Sequence, residues 1–129
     1  MRVALLIALG LAIGIVGTIN VMNTLRARNP MPHAVMTTMD YHMGELRKAI
    51  DAKQCNAPAI AHHLQRMHST ASDIVPVFHI DEKPFTDAAT QLQDRVQQAV
   101  RAAPVTCDTL VAAIKPIGAT CKSCHQDYR

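Results

Sequence analysis

The chain has 129 residues, 3% of them aromatic with no Trp, and a formal net charge of +3. That length suits one domain plus an appendage, and a core so short of aromatics must be filled by Ala, Met, Leu, Ile and Val, which favours helices over sheets. Arg2, Arg26 and Arg28 supply the whole charge excess. From Asn29 onward ten Lys/Arg balance ten Asp/Glu, so the chain has no basic footprint for nucleic acid.

The first element runs from Val3 to Leu25. It is nearly uninterrupted apolar sequence, broken by Gly10, Gly14, Gly17 and a few small polar residues, with Asn20 and Asn23 towards its far end. As a helix it would span the ~30 Å of hydrocarbon in a bilayer. The rival reading is a cleaved signal peptide, but the apolar region is long for one and Leu25-Arg26-Ala27 is a poor cleavage site. Residues 1–28 are therefore expected to be a transmembrane signal-anchor, and 29–129 a separate domain. The flanking Arg residues do not choose its orientation.

Four helical stripes follow, separated by breaks at Asn29-Pro30-Met31-Pro32, near Asn56-Ala57-Pro58, across Val75 to Pro84, and at Pro104-Val105-Thr106. The first helix is expected over about 33–53, with Met36, Met39, Met43, Leu46 and Ile50 on its stripe. The second is expected over about 58–74, with Ile60, Leu64, Met67, Ala71 and Ile74, Asn56 as cap and Pro58 near its start. The third covers about 83–103, with Phe85, Ala89, Leu92, Val96, Ala99 and Ala103. The fourth covers about 107–128 and is capped by Thr106. Short connections between amphipathic helices predict an all-α, antiparallel, up-down-up-down four-helix bundle preceded by a single N-terminal transmembrane helix.

The fourth stripe continues from Leu110, Ile114 and Ile117 to Cys121, Cys124 and Tyr128. Pro116 interrupts it and predicts a kink or a break. The run Cys121-Lys122-Ser123-Cys124-His125 has the C-x-x-C-H spacing of a c-type haem attachment site: two thiols for the porphyrin vinyl groups and an adjacent imidazole for the iron. On a helix all three project to one side. A thioredoxin-like dithiol would need a βαβ context, and a zinc site a second pair of ligands at recognisable spacing. Neither is present.

A C-x-x-C-H closing a four-helix chain resembles the class II c-type cytochromes, the cytochrome c-prime family. The stretch Gly118 to His125 followed by Tyr128-Arg129 is similar to that family's closing segment, while the wider likeness over about 33–129 is one of architecture. Class I cytochromes, with the motif near the N-terminus, fit poorly. The resemblance implies one covalent haem c per chain, held by Cys121 and Cys124 with His125 as proximal iron ligand. Attachment on the outer side of the bacterial inner membrane places residues 29–129 in the periplasm. In that oxidising compartment Cys55 and Cys107, at matching bundle ends, are expected to form a disulfide. The alternative is two separate buried thiols.

The resemblance also implies two kinds of coordination. Low-spin members carry a Met from the first helix on the iron. Topology puts Met36 and Met39 near the haem, so Met36 is the expected distal ligand and Met39 the second choice, while Met43 and Met67 read as core filler. High-spin members have an open apolar distal face. His33 or His42 could replace Met, although His42 is displaced from the stripe. His62, His63, His68 and His79 form no H-x-x-x-H pair and read as solvated helix faces. The leading expectation is a membrane-tethered, non-enzymatic electron carrier serving periplasmic or membrane redox proteins. The alternative is a five-coordinate protein that binds nitric oxide or carbon monoxide. A peroxidase ranks last for want of a distal acid–base pair. Family members often pair through their first two helices, so a homodimer is compatible.

Overall fold

The computed structural model describes residues 2–27 and 29–128. Arg28, where the anchor was expected to end, and Arg129, last of the family-like closing residues, lie outside the described residues. Among the described residues the chain is helical throughout, without a strand: α1 (Arg2–Ala27), α2 (Met31–Asp51), α3 (Ala57–Ala71), α4 (Ile74–Phe78), α5 (Lys83–Ala102) and α6 (Cys107–Asp127). Contacts divide the chain into two units, Met1–Pro30 and Met31–Arg129.

The first unit is α1 alone. Its stretch Leu6–Leu25 has a mean hydropathy of 1.9 and no buried residue, so it is long and apolar enough to cross a membrane. Its polar side chains turn back onto their own helix. Thr18 Oγ1 donates to the Gly14 carbonyl at 2.8 Å, Asn20 Nδ2 to that of Val16 at 2.8 Å, and Thr24 Oγ1 to that of Asn20 at 2.6 Å. Such back-bonding satisfies polar groups where no water is at hand.

In the second unit α2 packs on α3 and α6, α3 on α5, and α5 on α6, with α4 touching α2 and α5. The four long helices thus close a ring around one core. Directions follow from two contacts. Cys55, just beyond α2, is bonded to Cys107 at the start of α6, with Cα atoms 5.3 Å apart. At the other pole Met36 near the start of α2 lines one cavity with Cys124 near the end of α6. The two helices therefore run antiparallel.

Local chemistry sets the helix ends. Asn56 Oδ1 accepts from the Ala59 N–H at 3.1 Å, and Pro58 sits in the first turn, where its missing donor costs nothing. Thr106 and Thr109 form a reciprocal cap: Thr106 Oγ1 accepts from the Thr109 N–H at 3.2 Å, and Thr109 Oγ1 from the Thr106 N–H at 3.1 Å. The core is the set of expected stripes: Leu46, Ile60, Leu64, Met67, Phe85, Val96, Leu110 and Ile117 are the largest fully buried side chains, each stabilising by about 1.5–3 kcal/mol relative to exposure.

Five details differ from the sequence expectations. α2 begins at Met31 because Pro32, at its second position, needs no N–H partner there. The second helix stops at Ala71, and Ile74 opens the short α4, which runs into the expected 75–84 break and ends at left-handed His79. Ala103 leaves the third stripe: it follows α5 in a left-handed conformation, φ 43°, and is exposed. Pro116 does not break α6; Pro116 and Ala112, whose carbonyl it leaves unbonded, are both exposed, so water can take the missing partner's place. On α2, Val35 and His42 are buried along with Met39, Met43 and Leu46, whereas Met36 and Ile50 are half-buried against the core.

Candidate cofactor site

The last turns of α6 carry the motif. Its stripe keeps Leu110, Ile114 and Ile117 buried, and one and two turns later the same side presents Cys121 and Cys124, both half-buried. The helix then closes: the Tyr128 N–H donates to the Cys124 carbonyl at 3.1 Å. Tyr128 packs edge-on to Phe85 with ring centroids 5.1 Å apart, and Phe85 meets Phe78 at 5.6 Å. These rings pin the end of α6 to the start of α5.

Between this face and α2 lies a cavity of about 270 Å³. Cys121, Cys124 and His125 line it from α6, Met36, Met39 and Met43 from α2, and Phe85, Ala89 and Leu92 from α5. The structure thus brings together every residue expected to hold the cofactor. Met43 and Met67, read from sequence as filler, line the same cavity and are buried. His33 is not among its lining residues. Neither is His42, which is buried on the side of α2 that meets His63 of α3. This corrects two readings: His42 lies within the packed part of α2, and His63 is a half-buried partner rather than part of a solvated face.

Sequence reasoning also missed the cavity's polar rim, formed by Asp40, Arg47 and Lys122. Arg47 follows Met43 by one helical turn, the spacing that could have placed it on this side. Burial pushes the Cys121 thiol up, with Arg47 opposing, and burial followed by the Asp127 charge does the same to Cys124.

The residues fit a covalent haem. Two unpaired thiols can bond to the porphyrin vinyl groups, and an imidazole and a thioether are ligands suited to iron. The walls are apolar, and small side chains leave room: a Cβ added at Gly118 would meet nothing closer than Arg47 Nη2 at 3.8 Å. Among the described residues no group of three or more His, Cys, Asp and Glu side chains converges to hold a metal ion.

An apolar cavity inside a helical bundle, with C-x-x-C-H on one wall, defines the class of c-type haem proteins. Residues 78–129, which hold α5, α6 and the whole motif, match the family model described as Cytochrome C'. The match supports a class II c-type cytochrome, with electron transfer or gas binding as its role. No curated protein and no solved structure gives a match.

Proposed function

We propose that the chain is a membrane-anchored periplasmic cytochrome that carries single electrons through a haem c ligated by His125 and Met36. One observation carries this reading: Met36 on α2 and the Cys121–Cys124–His125 face of α6 line the same apolar cavity from opposite sides. When bound, the haem supplies a one-electron iron couple. Cys121 and Cys124 would tether it, and His125 and Met36 would be the protein ligands to its iron. A thioether ligand in addition to imidazole would favour the reduced iron and raise the potential. Phe85, Ala89 and Leu92 keep water away from the ring, and Arg47 and Lys122 at the rim are the cations available to the propionates. The apolar α1 supports tethering beside membrane redox proteins, and the Cys55–Cys107 bond supports an oxidising compartment. Met36 is preferred over Met39 because it stands nearer the pole where α6 ends and is less committed to the core.

The absorption spectrum of the ferric holoprotein tests the reading. It should be low-spin with the near-infrared Met-to-iron charge-transfer band, and carbon monoxide should bind slowly because it must displace sulfur. Met36→Ala should give high-spin iron with faster gas binding while covalent attachment survives. Met39→Ala should leave the spin state unchanged and cost stability, about 3 kcal/mol for a buried Met cut to Ala. A high-spin wild type that binds gas readily would establish the gas-binding alternative, for which the apolar walls of the cavity are equally suited.

A further inference from the structure

On the side of α2 that faces α3 lies a second cluster that the cofactor site does not use. His42 is 6% exposed, and its Nδ1 is 2.9 Å from Nδ1 of His63. The two rings are tilted, with centroids 5.2 Å apart. His62 stands at 5.4 Å from His63 and 6.2 Å from His42, and the exposed Tyr41 ring lies edge-on to both members of the pair. No three ligating groups here converge for a metal ion among the described residues, so the chemistry of the contact is that of its protons.

A contact between two identical ring nitrogens works only when one donates and the other accepts. With both rings neutral, one Nδ1 carries hydrogen and the other presents a lone pair. Adding one proton to the pair preserves this arrangement. Adding a second sets N–H against N–H, and the contact becomes repulsive. We propose that His42 and His63 form a proton-operated latch between α2 and α3, closed while one Nδ1 remains bare and opened when acid protonates both rings.

The surroundings oppose the second charge. The groups acting on the pair come from α2 and α3 alone: His62 and Arg66 repel a protonated ring, and Glu45 attracts it. Glu45 is already engaged by Lys48 at 2.7 Å. Burial is the largest influence on both imidazoles and holds them below the ordinary histidine value of 6.5, with the neighbouring histidines adding to the effect. The unfolded chain therefore binds more protons than the folded one as pH falls through that value. The latch contributes its full stability above 6.5 and loses it progressively below. The helix it holds, α2, carries Met36, Met39 and Met43 on the cavity side.

The test compares urea unfolding of the full-length holoprotein in detergent at about pH 7.5 and about pH 5, the range over which histidine titrates. The wild-type midpoint should fall clearly at the lower pH. In His63→Asn the side-chain oxygen can accept from a protonated His42, so the fall should be less than half as large. His68→Asn, elsewhere on α3, should keep the wild-type fall. An unchanged fall in His63→Asn, or a flat wild-type midpoint, overturns the latch. Should His63→Asn not fold, nitrogen-resolved NMR of the wild-type imidazoles decides. A bonded Nδ1 pair at neutral pH, lost on acidification, supports the proposal. Two rings titrating independently at the ordinary value refute it.

Discussion

The two poles of the bundle hold the same pair of helices, α2 and α6, by opposite means. At one pole Cys55 and Cys107 join them covalently across a separation of 52 residues, and the reciprocal Thr106–Thr109 cap fixes the start of α6. At the other pole they are held apart by a cavity of about 270 Å³ whose walls are largely apolar. Apolar walls gain contacts from a group held between them, so an occupant of this cavity would stabilise this pole. The closed pole supplies order, and the open pole supplies a space lined by the methionines of α2 and by Cys121, Cys124 and His125 of α6.

The largest break of that contrast is to leave the open pole unfilled. Cys121→Ala with Cys124→Ala should abolish thioether attachment, so that acid–acetone extraction removes all haem from the denatured protein. The variant should unfold at far lower urea than the holoprotein, with the loss centred on the α2–α6 cavity pole by hydrogen exchange. Haem that stays covalently bound in this variant would refute the attachment assignment.

Opening the closed pole comes next. Cys55→Ser removes a cross-link that, on the chain-entropy account, stabilises by about 4 kcal/mol for a loop of this length. The urea midpoint should drop accordingly, while the holoprotein's spin state is unchanged because the site lies at the far end. A changed spectrum would show that the two poles are coupled.

The smallest effect sharpens the comparison. Thr106→Ala removes the cap beside the disulfide and should cost about 1 kcal/mol in chemical unfolding. Because Cys107 is the next residue, the cost should grow when the same change is made in the Cys55→Ser background, where nothing else fixes the start of α6. Strict additivity would mean that cap and cross-link act independently.

Much of this protein was legible in its sequence because helices announce themselves locally. The stripes of α2, α3, α5 and α6, the caps at Asn56 and Thr106, the apolar run of α1 and the C-x-x-C-H spacing are all properties of neighbouring residues. The misreadings fall where one stretch answers to another. His42 looked off-stripe because a stripe read for one partner ignores the second: α2 packs on α6 and on α3, so its buried arc is wider than a single seam. His63 could not be distinguished from a solvated histidine until α3 was laid beside α2. Pro116 was expected to bend or break α6, yet the helix runs through it because the freed carbonyl lies on the exposed side.

Sequence by itself determined the helical class and the motif that marks the cofactor, since each follows from spacing along one segment. Only the tertiary structure decided that the methionine and cysteine faces meet across one cavity, that Arg47 and Lys122 stand at its rim, and that two histidine nitrogens meet between α2 and α3. Those are distances between residues far apart in the chain, set by how the helices rotate and pack once their apolar arcs are buried together.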